Sequence, residues 1–235
     1  MPTPAPPRIA LPSTRALGAL LVTCAAVLVL LHLGVLIARH AFDHPHLFGL
    51  AHRFDMDQEG NVPTLFTVLV LIAASVLAGL HAAIERARGG THVTAWALLA
   101  AALAWFGFDD GAEIHELVSR YLRPIVSEAE LLGLALVLLG GAAFLAIAWR
   151  SRPFLQSLPA HVRHRLAAAV LLYFAGTIGF EIVGWEIWRF YGLESLAFEV
   201  VATVEEILEM TAAILFFLTL RAYLGAREPE LQLDL

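Results

Sequence analysis

Six apolar segments, each about as long as a membrane is thick, constrain the fold of this chain more than any other feature. They cover residues 16–37, 64–84, 93–118, 131–149, 166–188 and 196–220. A helix needs about 20 apolar residues to cross a hydrocarbon core ~30 Å thick. The composition agrees, because 59% of the 235 residues are hydrophobic and 15% are charged. The sequence therefore predicts an all-α, polytopic membrane bundle of six transmembrane helices over residues 16–221.

The distribution of arginine predicts how the bundle is oriented. All 15 basic residues are arginine, and ten of them lie in the two tails and in the second and fourth loops. Since basic residues are enriched on the cytoplasmic side, we expect both termini in the cytoplasm of a bacterial inner-membrane protein. Residues 1–15, rich in proline, are expected to be a disordered cytoplasmic tail, and residues 222–235 a second cytoplasmic tail.

Residue content excludes several classes of function. Because lysine is absent, a P-loop and Schiff-base catalysis are excluded. The net charge of −6 argues against a nucleic-acid partner. Cys24 is the single cysteine, so there is neither an intrachain disulfide nor a metal site of several thiolates.

Acidic residues inside the apolar segments are the strongest indication of function. Ten of the 21 acidic residues fall within the third, fifth and sixth segments or at their outer ends, and no arginine lies within those three segments. Ionised acids at this depth are costly and face the interior of a bundle. The sequence therefore predicts that their charge is relieved by protons or by metal ions. The ten residues are Asp109, Asp110, Glu113, Glu116, Glu181, Glu186, Glu199, Glu205, Glu206 and Glu209.

A repeated spacing favours a metal. The third segment reads Glu-Ile-His-Glu over 113–116 and the sixth reads Glu-Ile-Leu-Glu over 206–209, on helices that run in opposite directions. This pattern is compatible with an inverted 3+3 repeat, and carboxylates three residues apart on antiparallel helices build dinuclear metal sites. Such ligands predict Fe, Mn, Zn or Ca as the ion. The candidate ligands are Asp109, Asp110, Glu113, Glu116, Glu206 and Glu209, with His115 and Glu181 in supporting or alternative positions.

Histidine positions qualify this hypothesis. His115 follows Glu113 by two residues, whereas the di-iron pattern is Glu-x-x-His, which argues against a ferritin-like oxidase. Haem bound by His32 and His115 is disfavoured, because a histidine in a membrane helix more often pairs with a neighbouring carboxylate. The first outer loop is expected to contain His40 and to extend to the second apolar segment. Within it, we expect Asp57, Glu59 and Asn61 to cap the next helix. The alternative is a lid or a surface for metal access.

Three strings together resemble a group of uncharacterised bacterial six-helix membrane proteins. They are Phe-Asp-Met-Asp-Gln-Glu-Gly-Asn-Val-Pro-Thr over 54–64, Phe-Asp-Asp-Gly-Ala-Glu-Ile-His-Glu over 108–116 and Glu-Glu-Ile-Leu-Glu-Met over 205–210. The resemblance covers roughly residues 50–222. It implies the six-helix topology and brings no activity with it.

Three functions remain open at this point. The first is a divalent-metal-binding membrane protein, and if the metal is catalytic, an enzyme acting on a lipidic or quinone-like substrate. The second is a proton- or cation-coupled transporter or channel. The third is an accessory subunit that contacts another membrane protein or a second copy of itself. The catalytic residues, the identity of the metal and the partner are not specified by the sequence.

Overall fold

The computed structural model of the protein describes residues 8–9, 12–44, 46–58, 60–112, 114, 129–193, 195–228 and 233–234. Side chains are described throughout these ranges except at 8–9, 129–137, 181, 185 and 233–234.

Helices account for nearly all of the described chain. A 3-10 turn, Leu47–Gly49, precedes the short helix Ala51–Phe54, and a π-helical segment, Ala175–Phe180, joins the helices Ala160–Phe174 and Glu181–Tyr191. Two short strands, β1 (Arg8–Ile9) and β2 (Leu233–Asp234), pair antiparallel. The helices are α1 (Thr14–Phe42), α2 (Ala51–Phe54), α3 (Val62–Ala87), α4 (Val93–Ala112), α5 (Ala129–Arg150), α6 (Arg152–Ser157), α7 (Ala160–Phe174), α8 (Glu181–Tyr191) and α9 (Leu196–Arg227).

Four of these helices are long and apolar enough to cross a membrane. They cover Thr14–Phe42, Val62–Ala87, Val93–Ala112 and the continuous stretch Ala160–Tyr191. Leu138–Arg150 forms a shorter apolar helix. Each of the six predicted apolar segments lies on a helix, although residues 113 and 115–118 of the third are outside the described residues. The helices are therefore those expected of a membrane protein, while the count of six spans and the 3+3 repeat remain predictions.

Helix α9 is the centre of the bundle. It packs against α1, α3, α7, α8 and the π-helical segment. The side chains of Met210, Ala212, Ala213, Phe216 and Leu220 are 0–2% exposed. A helix surrounded on this many sides buries most of its surface, so polar residues on α9 are held inside the protein rather than against lipid.

Contacts between helices define two ends of the bundle. The terminal end is where α1 begins and α9 ends, and the far end is where α1 ends and α9 begins. At the terminal end, Trp96 stacks on His81 with ring centroids 4.4 Å apart and contacts Phe154 at 4.8 Å. His81 also packs on Tyr223 at 5.1 Å. This aromatic group fixes α3, α4, α6 and α9 relative to one another.

The start of α3 is capped as the sequence indicates for Asn61. The Asn61 Oδ1 atom accepts hydrogen bonds from the Thr64 backbone N–H at 3.0 Å and from the Thr64 hydroxyl at 3.1 Å. Pro63 occupies the first turn, where a missing N–H costs nothing. Asp57 does not cap α3; its surroundings are described below. Glu59 lies outside the described residues.

Two polar clusters on helix α9

Buried polar side chains gather at two levels of α9. The Arg39 cluster lies at the far end and comprises His32, Arg39, His40, Asp55, Asp57, Glu199 and Thr203. The Glu209 cluster lies nearer the middle of α9 and comprises Asp109, Asp110, Tyr173, Thr177 and Glu209, with the partly buried Glu205 and Glu206 on the preceding turn of α9. Glu199 and Glu209 are ten residues apart, which corresponds to about 15 Å along a helix.

One guanidinium joins two buried carboxylates in the Arg39 cluster. Arg39 donates hydrogen bonds from one terminal nitrogen to Glu199 and from the other to Asp55. Glu199 is 1% exposed and Asp55 is fully buried. Because the guanidinium presents donors in a rigid fork, this single side chain ties α1, the turn after α2 and the first turn of α9 together.

The expectation that no cation meets the acids of the sixth segment is wrong for Glu199. The first apolar segment was predicted to end at residue 37, but α1 continues to Phe42 and carries Arg39 on its last turns. The arginine stem lies along the helix while its charged head reaches the acids. A signal was available in the spacing, since His32 and Arg39 are seven residues apart and share one face of a helix.

His32 completes a chain of hydrogen bonds within the Arg39 cluster. Its Nδ1 accepts from the Met56 backbone N–H at 3.0 Å, and its Nε2–H donates to the Thr203 hydroxyl at 2.7 Å. The Thr203 hydroxyl in turn donates to the Glu199 backbone carbonyl at 2.6 Å. Both nitrogens of this buried ring are therefore engaged, and a metal or haem iron at His32 would have to break one of these bonds.

His40 lies on α1, which corrects its predicted position in the outer loop. Its Nε2 is 2.5 Å from the second carboxylate oxygen of Glu199, and its side chain is 30% exposed. A carboxylate that holds one nitrogen of an imidazole fixes the orientation of the ring. His40 therefore presents its outer edge at the margin of the cluster.

Asp57 is the residue of the Arg39 cluster whose protonation changes near neutral pH. Its backbone N–H donates to Asp55 Oδ1 at 3.3 Å. Its carboxyl group is partly buried beside the two acids that Arg39 binds. Burial, together with the charges of Asp55 and Glu199, raises the pKa of the Asp57 carboxyl to about 7, against an opposing effect of Arg39. A proton is therefore exchanged at the far end of the bundle around neutral pH.

A hydroxyl group holds Glu209 in the second cluster. The Thr177 Oγ1 atom lies 2.7 Å from Glu209 Oε1 and 3.0 Å from the Tyr173 backbone carbonyl. The hydroxyl has one hydrogen for these two acceptors. Both contacts are full hydrogen bonds when Glu209 itself carries a proton and donates it to Thr177.

The π-helical segment brings its backbone close to α9 at this level. A Cβ atom on Gly176 would lie 3.0 Å from Glu209 Cγ and 3.1 Å from the Glu205 carbonyl oxygen. Only glycine therefore allows the present approach of the two helices. Single π-helical turns within α-helices often occur at functional sites, and this one faces the acidic residues of α9.

Acidic residues of α4 and α9 act electrostatically on Tyr173. This side chain is 5% exposed and stacks on Phe106 of α4, with ring centroids 4.7 Å apart. The charges of Glu209, Asp110 and Asp109 all act on its phenol group. Helices α4, α7 and α9 thus place three of the predicted site residues around one buried side chain.

The structure places the predicted site residues unevenly. Asp109 and Asp110 lie on α4, and Glu206 and Glu209 lie on α9, with Glu209 the most deeply buried of the four. Glu181 begins α8, and its side chain is not among those described. Glu113, His115 and Glu116 lie outside the described residues. Over the part of the chain that the structure describes, no group of three or more His, Cys, Asp or Glu residues has an arrangement that could hold a metal ion.

The fold and the two clusters define an α-helical membrane protein whose central helix carries buried acids at two levels. The chain belongs to the family described as a domain of unknown function, DUF8692, which it matches over residues 16–224. Neither a curated protein nor a solved structure matches the chain.

Proposed function

We propose that this protein is a six-span protein of the bacterial inner membrane, with both termini in the cytoplasm, that binds a divalent cation in its Glu209 cluster. The observation that carries the proposal is the position of Glu209, which is buried on α9 against the π-helical segment and contacts Thr177 at 2.7 Å, at a level where Asp109 and Asp110 also act electrostatically on Tyr173. With both termini cytoplasmic, the far end of the bundle faces the periplasm, and the cluster lies in the outer half of the membrane.

The chemistry of the donors suits a divalent ion. Carboxylates that share a site repel one another, and a cation between them removes that repulsion. Oxygen ligands suit Mn, Fe, Ca and Zn, the ions expected from the sequence. Because the described acids alone do not form a complete metal site, the proposal requires further ligands from Glu113, His115, Glu116 or Glu181.

An enzymatic role follows if the ion is reactive. A metal at this level would supply Lewis acidity or an activated water, and its depth in the membrane favours a lipidic or quinone-like substrate. Tyr173 and Thr177 would then orient groups beside the ion.

Equilibrium dialysis of the purified protein with Mn²⁺ and Zn²⁺ tests metal binding. We expect Glu206→Gln and Glu209→Gln to weaken binding at least tenfold, because each removes a charged ligand and keeps its shape. Glu199→Gln is the matched control, since it neutralises an acid of the same helix that Arg39 already binds. Equal affinity in all four proteins would contradict the proposal.

A second candidate function is proton-coupled transport, and the double contact of Thr177 favours it. Both contacts of the Thr177 hydroxyl are hydrogen bonds when Glu209 is protonated. At the far end of the bundle, Asp57 exchanges a proton near pH 7. Proteoliposomes that contain a pH-sensitive dye would show proton flux under an imposed potential. Flux that disappears in Glu209→Gln, without metal uptake in the parent protein, would select this function over the first.

A further inference from the structure

The connection between α5 and α7 concentrates positive charge at the terminal end of the bundle. Four arginines lie within 16 residues, and residues 131–180 contain no Asp or Glu. We call residues 150–165 the basic turn. Three of its arginines are exposed and Arg163 is partly exposed; the four are Arg150, Arg152, Arg163 and Arg165.

Two other arginines at this end of the bundle are paired with acids. Arg88 binds Glu228 at 2.6 Å, and Arg227 binds Glu85 at 3.0 Å. In the described parts of the chain, by contrast, none of the four arginines of the basic turn forms an ion pair with a carboxylate. The basic turn therefore carries positive charge that the described protein does not neutralise.

Buried anchors hold the basic turn in one position. Phe154, Leu158 and Val162 are 2–5% exposed and recur every four residues. Phe154 packs edge-on against Trp96, so α6 is attached to the core of the terminal end. The four arginines flank these anchors, two before Phe154 and two after Val162, so the anchors hold both pairs in place.

The basic turn lies at the level of the membrane surface. It connects the apolar helix Leu138–Arg150 to the span Ala160–Tyr191. Trp149 is 65% exposed, and the Arg152 guanidinium lies 3.0 Å from the centroid of its ring. Tryptophan is enriched where lipid headgroups meet the hydrocarbon core, and an arginine stacked on its face retains its outward-facing donors.

We propose that the basic turn binds the phosphate headgroups of anionic phospholipids. Guanidinium groups match phosphate in a bidentate geometry, and an arginine near an anionic membrane surface contributes about fivefold in affinity. The first turn of α7 contains no acidic residue, so the helix dipole adds to the positive potential there. Headgroup binding requires only that the basic turn lie between two membrane helices, and it is independent of the metal site.

Native mass spectrometry of the full chain in detergent tests this binding. The probes are phosphatidylglycerol and phosphatidylcholine with identical acyl chains. We expect the parent protein to retain phosphatidylglycerol preferentially, and the variant Arg163→Gln/Arg165→Gln to bind that lipid about 30-fold more weakly. Retention of phosphatidylcholine should not change. The single variant Arg165→Gln, which alters one exposed side chain, should lose about fivefold.

The matched control is Arg88→Gln/Arg227→Gln. It removes the same charge from the same end of the bundle, at arginines that acids already neutralise, and should change phosphatidylglycerol retention by less than about threefold. The proposal is overturned if the parent protein retains the two lipids equally. It is also overturned if the control pair loses as much phosphatidylglycerol as the basic-turn pair does.

Discussion

Glu199 and Glu209 lie on the same helix, α9, and are both buried, at 1% and 7% exposure. Their partners nevertheless differ. Glu199 is held by the Arg39 guanidinium and by His40. Glu209 is held by the Thr177 hydroxyl, in a region where Asp109 and Asp110 also act on Tyr173. The described partner of the first acid is a fixed cation, and the described contact of the second is a hydroxyl group.

This difference indicates what each cluster does. A carboxylate bound to a fixed guanidinium stabilises the fold and is poorly suited to exchanging its charge with a ligand. A hydroxyl contact, unlike an ion pair with arginine, is compatible with both the protonated and the charged form of a carboxylic acid. We therefore regard the Arg39 cluster as a link between helices and the Glu209 cluster as the candidate site.

The largest effect is expected from Arg39→Gln. It leaves Asp55 and Glu199 buried without their shared cation, and removing one partner of a buried ion pair costs about 3–5 kcal/mol. Denaturant unfolding in detergent would measure the loss. Arg53→Gln, at an exposed arginine of α2, should stay within about 0.5 kcal/mol of the parent protein. A similar small loss in both variants would show that Arg39 does not stabilise the far end.

A smaller effect is expected where α9 approaches the π-helical segment. Gly176→Ala adds a methyl group within 3.1 Å of the Glu205 carbonyl oxygen, a backbone atom. Overpacking of this kind costs about 1–3 kcal/mol. Gly179→Ala is the control, because nothing lies within 4 Å of its Cβ position. We expect Gly176→Ala also to displace Glu209, so it should weaken Mn²⁺ binding, whereas Gly179→Ala should not. Equal unfolding energies for the two variants would argue against the close approach.

The smallest effect concerns the pH dependence of the Arg39 cluster. The pKa of Asp57 is raised from 3.8 to about 7 in the folded protein, so between these values the folded state binds more protons than the unfolded state. Asp57 therefore lowers stability progressively as pH rises from about 4 to 7, and the loss is complete above pH 7. Allowing for solvent screening, Asp57→Asn should stabilise the protein by about 1–2 kcal/mol at pH 8.

The difference between the parent protein and Asp57→Asn should vanish near pH 4, because Asp57 is then protonated in the folded protein. Asp43→Asn, at an exposed position after α1, serves as the control and should leave the pH profile unchanged. A constant difference between Asp57→Asn and the parent protein from pH 4 to pH 8 would contradict the raised pKa.

Helix positions were predictable from the sequence because hydrophobic length is a local property. Each apolar segment lies on a helix, and the Asn61 cap follows from a side chain three residues before Thr64. The end of α1 was not predictable in the same way. Apolar content falls after residue 37, but Arg39 is retained on the helix by partners on α9 and after α2, which lie far away in sequence.

The candidate site was predictable in its residue types and only partly in its geometry. Helical periodicity placed acids on the faces of α4 and α9, and Asp109, Asp110 and Glu209 do act on a common side chain. The contribution of Tyr173 and Thr177 was missed. Their role depends on the π-helical segment, whose extra residue per turn changes which side chains face α9 and leaves no clear sequence signal.

Elemental analysis of the purified full chain, together with its visible spectrum, tests the central claim most directly. The account predicts one or two equivalents of Fe, Mn, Zn or Ca per chain, a smaller content in Glu209→Gln, and unchanged content in Glu199→Gln. A parent protein that contains no metal, and takes up none when Mn²⁺ and Zn²⁺ are added, would contradict the account and leave the acids of the Glu209 cluster as carriers of protons.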